Sequence, residues 1–219
     1  MHPNQESASD SNERSLPISS SFHKMALSAN GLSNAAFKEW VFDPRMLFNA
    51  TEKWWGNKGR RPTPHEGLDF YAYITDKSDI QHIQPGFRYA AIFPGKVISV
   101  SKDFLGQSLF LRHDGHRKGK LILFTAYGHG IPLARIQPGA EVQGDEIIAA
   151  VANPPAVLGV APPHLHISAG WIPDALSHDI TWDAVAHSRD IVLINPLDIL
   201  NVPFSVESSD DKPVDSVEG

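Results

Sequence analysis

Residues 107–129, QSLFLRHDGHRKGKLILFTAYGH, contain two apolar runs separated by a polar segment with two glycines. QSLFLRH and KLILFTAYGH are rich in branched and aromatic residues, which pack well on a pleated sheet. The intervening HDGHRKGK has the composition of a turn. The stretch predicts two strands joined by a loop, and it indicates a chain organised around β-sheet.

Similar short runs lie on both sides and predict strands at FRYAAIF, KVISVS, DEIIAAVA, LHISAGW and DIVLIN. No segment between them predicts a helix long enough for a βαβ crossover. Short helices are predicted at LSNAAFKEWV (32–41), with Ser33 as N-cap, and at SHDITWDAVAHSRD (177–190), while residues 48–70 are typical of an ordered loop. The predicted fold class is mainly β, an antiparallel sandwich or barrel with few short helices.

Charge is concentrated at the two ends of the chain. Residues 1–22 are polar and serine-rich with a net charge of -2, and residues 206–219 carry -4, which together account for the formal charge of -6. We expect both segments to be disordered tails around one domain at 36–205. The middle has no net charge, so the sequence predicts no basic surface for nucleic acid.

The sequence contains no cysteine, which excludes disulfides and thiolate metal ligands and leaves the redox compartment open. No apolar run is long enough for a transmembrane helix. The N-terminal MHPNQESASDSNERSLPISSS has no apolar core and is not typical of a signal peptide. We therefore expect either that the protein stays inside the cell or that the sequence as given lacks an export segment.

Two histidines stand one residue apart in APPHLHISAG, residues 161–170. In a strand, His164 and His166 point to the same face, with Leu165 behind them. A buried ring nitrogen needs a hydrogen bond or a metal. Two interpretations stay open for this pair alone: polar residues on a solvated face, which is the commoner case, or metal ligands.

A second cluster lies in PTPHEGLDF, residues 62–70. His65 and Asp69 share a face in a helix or in a strand, and the prolines and Gly67 argue against a helix. The segment is not the zinc-protease motif HExxH, because Asp69 stands where the second histidine belongs and Glu66 points to the opposite face of an extended chain. Taken alone, His65 and Asp69 could be a hydrogen-bonded surface pair.

A third candidate, His129, ends the strand run in FTAYGHG, where sheet scaffolds often present catalytic side chains. Read together, the clusters offer two histidines and one carboxylate, a set that leaves zinc an open position for water. Zinc lowers the pKa of such a water to about 7 and polarises a carbonyl oxygen. Two histidines then remain to shuttle a proton and to stabilise an oxyanion.

The order of HEGLD, GFRYAAIFPGKVISV, AYGHG, GDEIIAAVAN, PPHLHIS and INPLDIL over residues 60–200 resembles the lysostaphin-type (LytM-like) zinc metallopeptidases, which carry HxxxD, Y-x-H and HxH in this order. The resemblance implies one zinc ion held by His65, Asp69 and His166, with His129 and His164 as the catalytic histidines. It also implies a compact antiparallel β domain with an open groove over the zinc. The implied activity is an endopeptidase that hydrolyses peptide cross-links of bacterial cell-wall peptidoglycan.

The sequence departs from the family pattern at three places. Gly130 follows His129 where the family usually has leucine, and residues 73–86 and 113–120 are longer than the pattern requires. We expect both long segments to be loops near the groove. Tyr127, which shares a strand face with His129, and His113, which ends its strand, are further candidates for the substrate groove; the alternatives are hydrogen-bonded packing and an exposed strand end.

Two other functions are considered. A non-catalytic LytM-like binding or regulatory module would activate other cell-wall hydrolases, but such modules lose zinc ligands, and the full polar set here favours an enzyme. An iron oxygenase usually takes its first histidine and carboxylate at i and i+2, whereas His65 and Asp69 are four apart. A wall peptidase acts outside the cytoplasm, so we expect a periplasmic or cell-envelope location; the oligomeric state stays open.

Overall fold

The computed structural model describes residues 16–19, 21–32, 36–155, 159–178 and 180–207. Its α-helices and strands, in chain order, are α1 (Phe22–Ala29), β1 (Phe37–Phe42), β2 (Leu68–Phe70), β3 (Ala72–Thr75), β4 (Ile80–His82), β5 (Arg88–Ala90), β6 (Gly95–Lys102), β7 (Gln107–Lys118), β8 (Leu121–Pro132), β9 (Glu141–Val142), β10 (Ile147–Val151), β11 (Leu165–Pro173), α2 (Trp182–His187), β12 (Val192–Ile194) and β13 (Phe204–Val206). Within these ranges, neither helix is long and apolar enough to cross a membrane.

The strands form two sheets. The larger sheet has nine strands, with a central path β12-β11-β8-β7-β6-β9; β10 pairs with β5 and β8, and β2 pairs with β11. The smaller sheet has four strands in the order β13-β1-β3-β4. Pairing is antiparallel except between β1 and β13, and neither sheet closes into a barrel. The predicted fold class, mainly β with antiparallel sheets and few short helices, is confirmed.

An aromatic cluster fixes β2 between the small sheet and α1. Trp40 and Phe42, alternate residues on one face of β1, contact Phe70 edge-on at centroid distances of 5.0 and 5.3 Å. Phe22 of α1 adds a third contact to Phe70 at 6.1 Å. All four side chains are at most 1% exposed, and burial of each ring contributes about 1.5–3 kcal/mol. The cluster thereby holds in place the strand that carries Asp69.

The strands predicted from the apolar runs are confirmed as β5 to β8 and β10 to β12. The loop predicted at residues 113–120 is wrong, because β7 continues to Lys118 and β8 begins at Leu121. Gly119, in the tight turn between them, has a φ of 61°, which favours glycine. The long loop expected at residues 73–86 is also largely wrong, because β3 and β4 pair there as a hairpin of the small sheet.

The helix predicted at residues 32–41 is wrong, because residues 37–42 form β1. Tertiary packing outweighs local helix propensity here: Phe37 and Trp40 are both buried, and their rings meet at 5.3 Å. The predicted N-cap, Ser33, lies outside the described residues. The second predicted helix is confirmed as α2, and its N-cap hydroxyl, that of Thr181, accepts a hydrogen bond from the backbone N–H of Ala184.

The packed part of the chain begins before the predicted domain start at residue 36. Ser19 forms an isolated bridge with Leu200, and Phe22 of α1 is 1% exposed. Residues 16–19 and 21–22 of the predicted N-terminal tail are therefore part of the packed structure. Residues 1–15 and 208–219, which make up most of the two predicted tails, lie outside the described residues.

Candidate metal centre

Strands β2, β11 and β8 lie side by side and bring two of the predicted ligands together. His166 of β11 is in register with Asp69 of β2 on one side and with Gly128 of β8 on the other. A Cβ at Gly128 would lie 3.2 Å from Cβ of His166, so the glycine leaves room for the imidazole. His65 lies in the loop before β2, where its backbone N–H donates to the carbonyl of Ala50 at 2.9 Å. From there its side chain reaches Asp69 and His166.

Gly67 explains why the segment between His65 and Asp69 can lie so close to β11. A Cβ at this position would lie 2.3 Å from the carbonyl oxygen of Ile167 and 2.7 Å from Nε2 of His166. Any side chain would therefore displace the neighbouring strand or the ring. The spacing of the HEGLD motif depends on this close approach.

Three donor atoms converge at the floor of a groove. Nδ1 of His166 lies 2.8 Å from Oδ1 of Asp69, Nε2 of His65 lies 3.3 Å from the same oxygen, and the two ring nitrogens are 3.2 Å apart. All three residues are buried, with exposed fractions of 1% for His65 and Asp69 and 5% for His166. The three atoms lie within 4.8 Å of one another, so one ion could contact all of them.

The outward-facing nitrogens of the two histidines have their own partners. Nδ1 of His65 donates to the carbonyl of Leu47 at 3.0 Å, and Nε2 of His166 lies 2.8 Å from the hydroxyl of Ser168. A carbonyl only accepts, so Nδ1 of His65 carries the proton, and Nε2 of a neutral ring offers its lone pair inward. Such outer hydrogen bonds set the tautomer of metal-binding histidines.

The outer oxygen of Asp69 is held in the same way. Oδ2 accepts a hydrogen bond from the indole Nε1 of Trp54 at 2.7 Å, and Nη2 of Arg61 lies 3.5 Å from it. The guanidinium of Arg61 in turn stacks over the ring of Trp55 at 4.8 Å from its centroid. These contacts occupy Oδ2 and leave Oδ1 facing the two histidines.

The electrostatics of the group favour an anionic carboxylate at Asp69 and a neutral imidazole at His166. Burial by itself raises the pKa of Asp69, but electrostatic interactions with His65 and His164 and hydrogen bonds from His166 and His65 outweigh it and hold the pKa well below its usual range. Burial lowers the pKa of His166, although its hydrogen bond to Asp69 opposes that shift. A metal ion binds histidine as the neutral imidazole and aspartate as the carboxylate anion.

The donor set fits a zinc ion. Two neutral imidazole nitrogens and one carboxylate oxygen are the ligands of many catalytic zinc sites, which keep a fourth position open for water. Without an ion, three acceptor atoms within 3.3 Å of one another must share protons. A divalent cation would satisfy all three at once, because each can offer it a lone pair. His65, Asp69 and His166 could therefore hold the metal.

The two remaining predicted histidines lie beside this group. Nε2 of His164 is 3.7 Å from Oδ1 of Asp69, and its Nδ1 donates to the carbonyl of Pro162 at 2.7 Å. The ring of His129 lies 4.7 Å from that of His164 and 6.0 Å from that of His166, measured between centroids. Burial lowers the pKa of His164 to about 4, so its ring is neutral at physiological pH.

The groove above these histidines has a volume of about 340 Å³. Besides the five predicted residues, its lining comprises Trp55, Arg61, Glu66, Lys102, Asp103, Phe104 and Trp182. The sequence did not predict Asp103, Phe104 and Trp182 as groove residues. Asp103 and Phe104 lie between two predicted strands, and Trp182 lies on a predicted helix, so their joint position depends on tertiary structure.

Tyr127 and His113 do not line the groove, and that prediction is wrong. Both side chains are 0% exposed. Nδ1 of His113 donates to the carbonyl of Pro94 at 2.9 Å, its Nε2 lies 2.8 Å from the hydroxyl of Thr125, and that hydroxyl is hydrogen-bonded to Oη of Tyr127 at 3.2 Å. The backbone N–H of Ile92 donates to the same Oη at 2.8 Å. Hydrogen-bonded packing explains both residues.

Gly130, where the resembled family usually has leucine, has a steric reason in this chain. A Cβ at Gly130 would lie 2.0 Å from Oη of Tyr89. Tyr89 is fully buried against Tyr127, with stacked rings 5.9 Å apart. Glycine at position 130 is therefore explained by Tyr89, which packs under the end of β8.

No protein-family model and no curated protein matches the sequence. Among solved structures, the chain is similar to the catalytic domain of lysostaphin from Staphylococcus simulans, with 16% identity, a TM-score of 0.42 and coverage of 78% of this chain and 94% of that one. It is also similar to a zinc-containing peptidase from Vibrio cholerae, with 23% identity, a TM-score of 0.39 and coverage of 61% of this chain and 36% of the other.

A third similar structure is a mutant catalytic domain of the prophage-encoded M23 protein EnpA from Enterococcus faecalis, with 19% identity, a TM-score of 0.35 and coverage of 65% of this chain and 89% of that domain. The likeness to each of these structures is a likeness of fold.

Proposed function

We propose that this chain is a zinc-dependent endopeptidase that hydrolyses peptide cross-links of bacterial peptidoglycan. The observation that carries the proposal is the convergence of Nε2 of His65, Oδ1 of Asp69 and Nδ1 of His166 on one point at the floor of a groove, with two further histidine rings beside them. The substrate class rests on the motif order in the sequence.

A zinc ion bound there would make hydroxide available at neutral pH and polarise a peptide carbonyl. The protein's own part is to hold the substrate over this point and to move the proton. His164 is suited to accept a proton, because its Nδ1 is committed to the Pro162 carbonyl and its neutral ring leaves the lone pair on Nε2.

His129 supplies a second proton-handling group on the same floor. Its Nδ1 lies 3.2 Å from a carboxylate oxygen of Asp103, so one edge of the ring faces a negative charge. The pair therefore combines a ring kept neutral by burial with a ring beside a fixed negative charge. Peptide hydrolysis needs both uptake of a proton from water and its delivery to the leaving amine.

The groove walls are suited to an extended chain. Trp55 and Trp182 lie on its lining, and Phe104 is 64% exposed beside His129, with ring centroids 4.7 Å apart. Aromatic faces provide apolar contact area at low conformational cost. Backbone and side-chain groups of a peptide could pack between them while one carbonyl faces the metal group.

Digestion of purified peptidoglycan by the zinc-loaded protein, with and without a chelator, tests the proposal. Mass spectrometry of the released fragments should show new amino termini that the chelator abolishes, and the His166→Ala variant should produce none. Absence of cleavage across walls of differing cross-link chemistry, despite one bound zinc per chain, would contradict the proposal and favour a non-catalytic module that binds or activates other hydrolases.

We also propose that the protein acts outside the cytoplasm, in the periplasm or cell envelope, because its proposed substrate is there. Fractionation of the native cells followed by immunoblotting should find the protein in the envelope or periplasmic fraction. Recovery from the cytoplasm alone would contradict this location.

A further inference from the structure

The carboxylate of Asp103 is buried in the turn between β6 and β7, with its side chain 5% exposed. Oδ1 accepts hydrogen bonds from the backbone N–H groups of Leu105 at 2.9 Å and Gly106 at 2.7 Å. Oδ2 accepts one from the hydroxyl of Ser108 at 2.5 Å. These bonds hold the carboxylate in one orientation.

This carboxylate contacts His129 twice. The backbone N–H of His129 donates to Oδ2 at 2.9 Å, and ring Nδ1 lies 3.2 Å from Oδ1. His129 has a φ of 65°, a left-handed conformation that is uncommon for a residue with a side chain and is often found at functional sites. Asp103 on one side and the N–H of Ala152, which donates to the His129 carbonyl at 2.8 Å, hold that conformation.

We infer that Asp103 is a positioning residue that keeps the proton of His129 on Nδ1 and directs Nε2 away from itself, as a proton-handling atom of the proposed hydrolase site. The inference rests on the proposed function. Nδ1 of His129 is buried and makes no well-aligned hydrogen bond among the described residues. The carboxylate 3.2 Å away can only accept, so it favours the tautomer that carries the proton on Nδ1. The orienting aspartate of serine proteases acts on its histidine in the same manner.

The charge of Asp103 supports this role. Burial raises the pKa of Asp103, but hydrogen bonds and charge interactions with His129, together with the Ser108 hydroxyl, outweigh burial and lower it. The group is therefore an anion at neutral pH.

A polar chain connects Asp103 to helix α2. The indole Nε1 of Trp182 donates to Oγ of Ser108 at 2.7 Å, and the Ser108 hydroxyl donates to Asp103. The ring of Trp182 also contacts the ring of His166, with centroids 5.2 Å apart. The helix inserted before β12 thus contacts both the metal group and the residues that orient His129.

A purely structural role is the competing explanation, because Asp103 also closes the β6–β7 turn. Asp103→Ala separates the two, because it removes the acceptor beside Nδ1, and a purely structural role would lower the melting temperature without moving the ring proton. Proton–nitrogen correlation spectra of the histidine rings read the tautomer directly and do not depend on any substrate. Asp79→Ala, in the exposed turn before β4, is the matched control.

We expect zinc-loaded Asp103→Ala to keep its metal and to melt at a lower temperature, because the turn N–H groups lose their acceptor, while the His129 ring leaves the Nδ1–H tautomer. On peptidoglycan fragments that the wild type cleaves, kcat should fall about 100-fold or more with little change in KM. Asp79→Ala should match the wild type in every measurement. A shifted tautomer in a protein that cleaves nothing would support the positioning role and contradict only the hydrolase proposal.

An unchanged His129 spectrum, or a kcat equal to that of the wild type, would overturn the inference. Should Asp103→Ala fail to fold, the ring spectrum of the wild-type protein provides the test, because the inference requires the His129 proton on Nδ1. A wild-type ring that carries its proton on Nε2 alone would overturn the inference.

Discussion

Two buried polar clusters of the nine-stranded sheet differ in where their histidine nitrogens point. In the first, which we call the His113 network (His113, Thr125 and Tyr127), the two ring nitrogens of the histidine have separate partners, at 2.9 Å to the carbonyl of Pro94 and 2.8 Å to the hydroxyl of Thr125. In the candidate metal centre, His65 and His166 each bond one nitrogen to an outer partner and turn the other towards Asp69 and towards each other.

Burial and the direction of the pKa shift do not distinguish the two clusters. His113 and His166 are 0% and 5% exposed, and burial lowers the pKa of each. The distinguishing property is the convergence of two ring nitrogens and one carboxylate oxygen on one point. A histidine whose nitrogens are bonded to separate groups contributes to folding, whereas acceptor atoms that converge on one point can bind an ion.

The largest expected effect is that of His166→Ala, which removes one of the converging donors. We expect zinc content and peptidoglycan cleavage to fall to background together, because two ligands cannot hold the ion in a defined geometry. Elemental analysis after dialysis and fragment release are the measurements. His187→Ala, on the exposed side of α2, is the control and should change neither. Retention of stoichiometric zinc in His166→Ala would show that the ligand set is assigned wrongly.

His164→Ala sharpens the contrast within the HxH pair. His164 shares the groove floor, but its Nε2 is 3.7 Å from Oδ1 of Asp69, outside the converging group. The variant should keep its zinc and lose about 10²–10⁴-fold in kcat, the usual contribution of a general acid or base. Elemental analysis after dialysis and fragment release from peptidoglycan are again the measurements. Equal loss of metal in both histidine variants would remove the distinction between ligand and catalytic residue.

Trp54→Phe tests the hydrogen bond that holds the outer oxygen of Asp69. Loss of the indole N–H leaves Oδ2 without its 2.7 Å donor, and we expect zinc affinity to fall about 10–100-fold, as for other partners of metal ligands. Competition titration with a chromogenic chelator measures the affinity. Trp171→Phe is the control for loss of a buried indole, because Trp171 lies near the other end of β11 from His166. Similar affinities for both variants would contradict the role of Trp54.

Strand periodicity predicted that His164 and His166 share a face, and the family resemblance supplied the candidate ligand set of His65, Asp69 and His166. Periodicity could not predict that β2 pairs with β11 so that Asp69 lies opposite His166. The motif resemblance supplied that link. Residues 37–42 show the opposite case, where local propensity favoured a helix and the packing of Trp40 on Phe70 requires a strand.

Tyr127 shows where periodicity misleads. Two residues before His129, it should share the face of that histidine in a regular strand. His129 has a φ of 65°, which breaks the alternation, so its ring lines the groove while Tyr127 stays in the core. Asp103 was missed for a related reason: its role depends on a turn that folds back onto the end of a different strand, and no sequence spacing records that contact.

The smallest expected effect concerns the His113 network, and its readout is the free energy of unfolding. Burial lowers the pKa of His113 to about 4 from 6.5; His116 also lowers it, while the Pro94 carbonyl and Asp114 raise it and partly offset the shift. Between these pH values the unfolded chain binds a proton that the folded chain does not, so His113 destabilises the fold as the pH decreases. The cost at pH 5.5 is about 1 kcal/mol relative to neutral pH.

His113→Gln isolates this contribution, because the amide does not titrate while other groups in the protein still do. Urea unfolding of the metal-free proteins at pH 7 and pH 5.5 should show a decrease in stability that is smaller in the variant than in the wild type by about that amount. Zinc content and cleavage should match the wild type, since His113 lies outside the groove. A variant that lost zinc or turnover while keeping its stability would mean that a fully hydrogen-bonded histidine can still belong to the active site, and the distinction between the two clusters would fail.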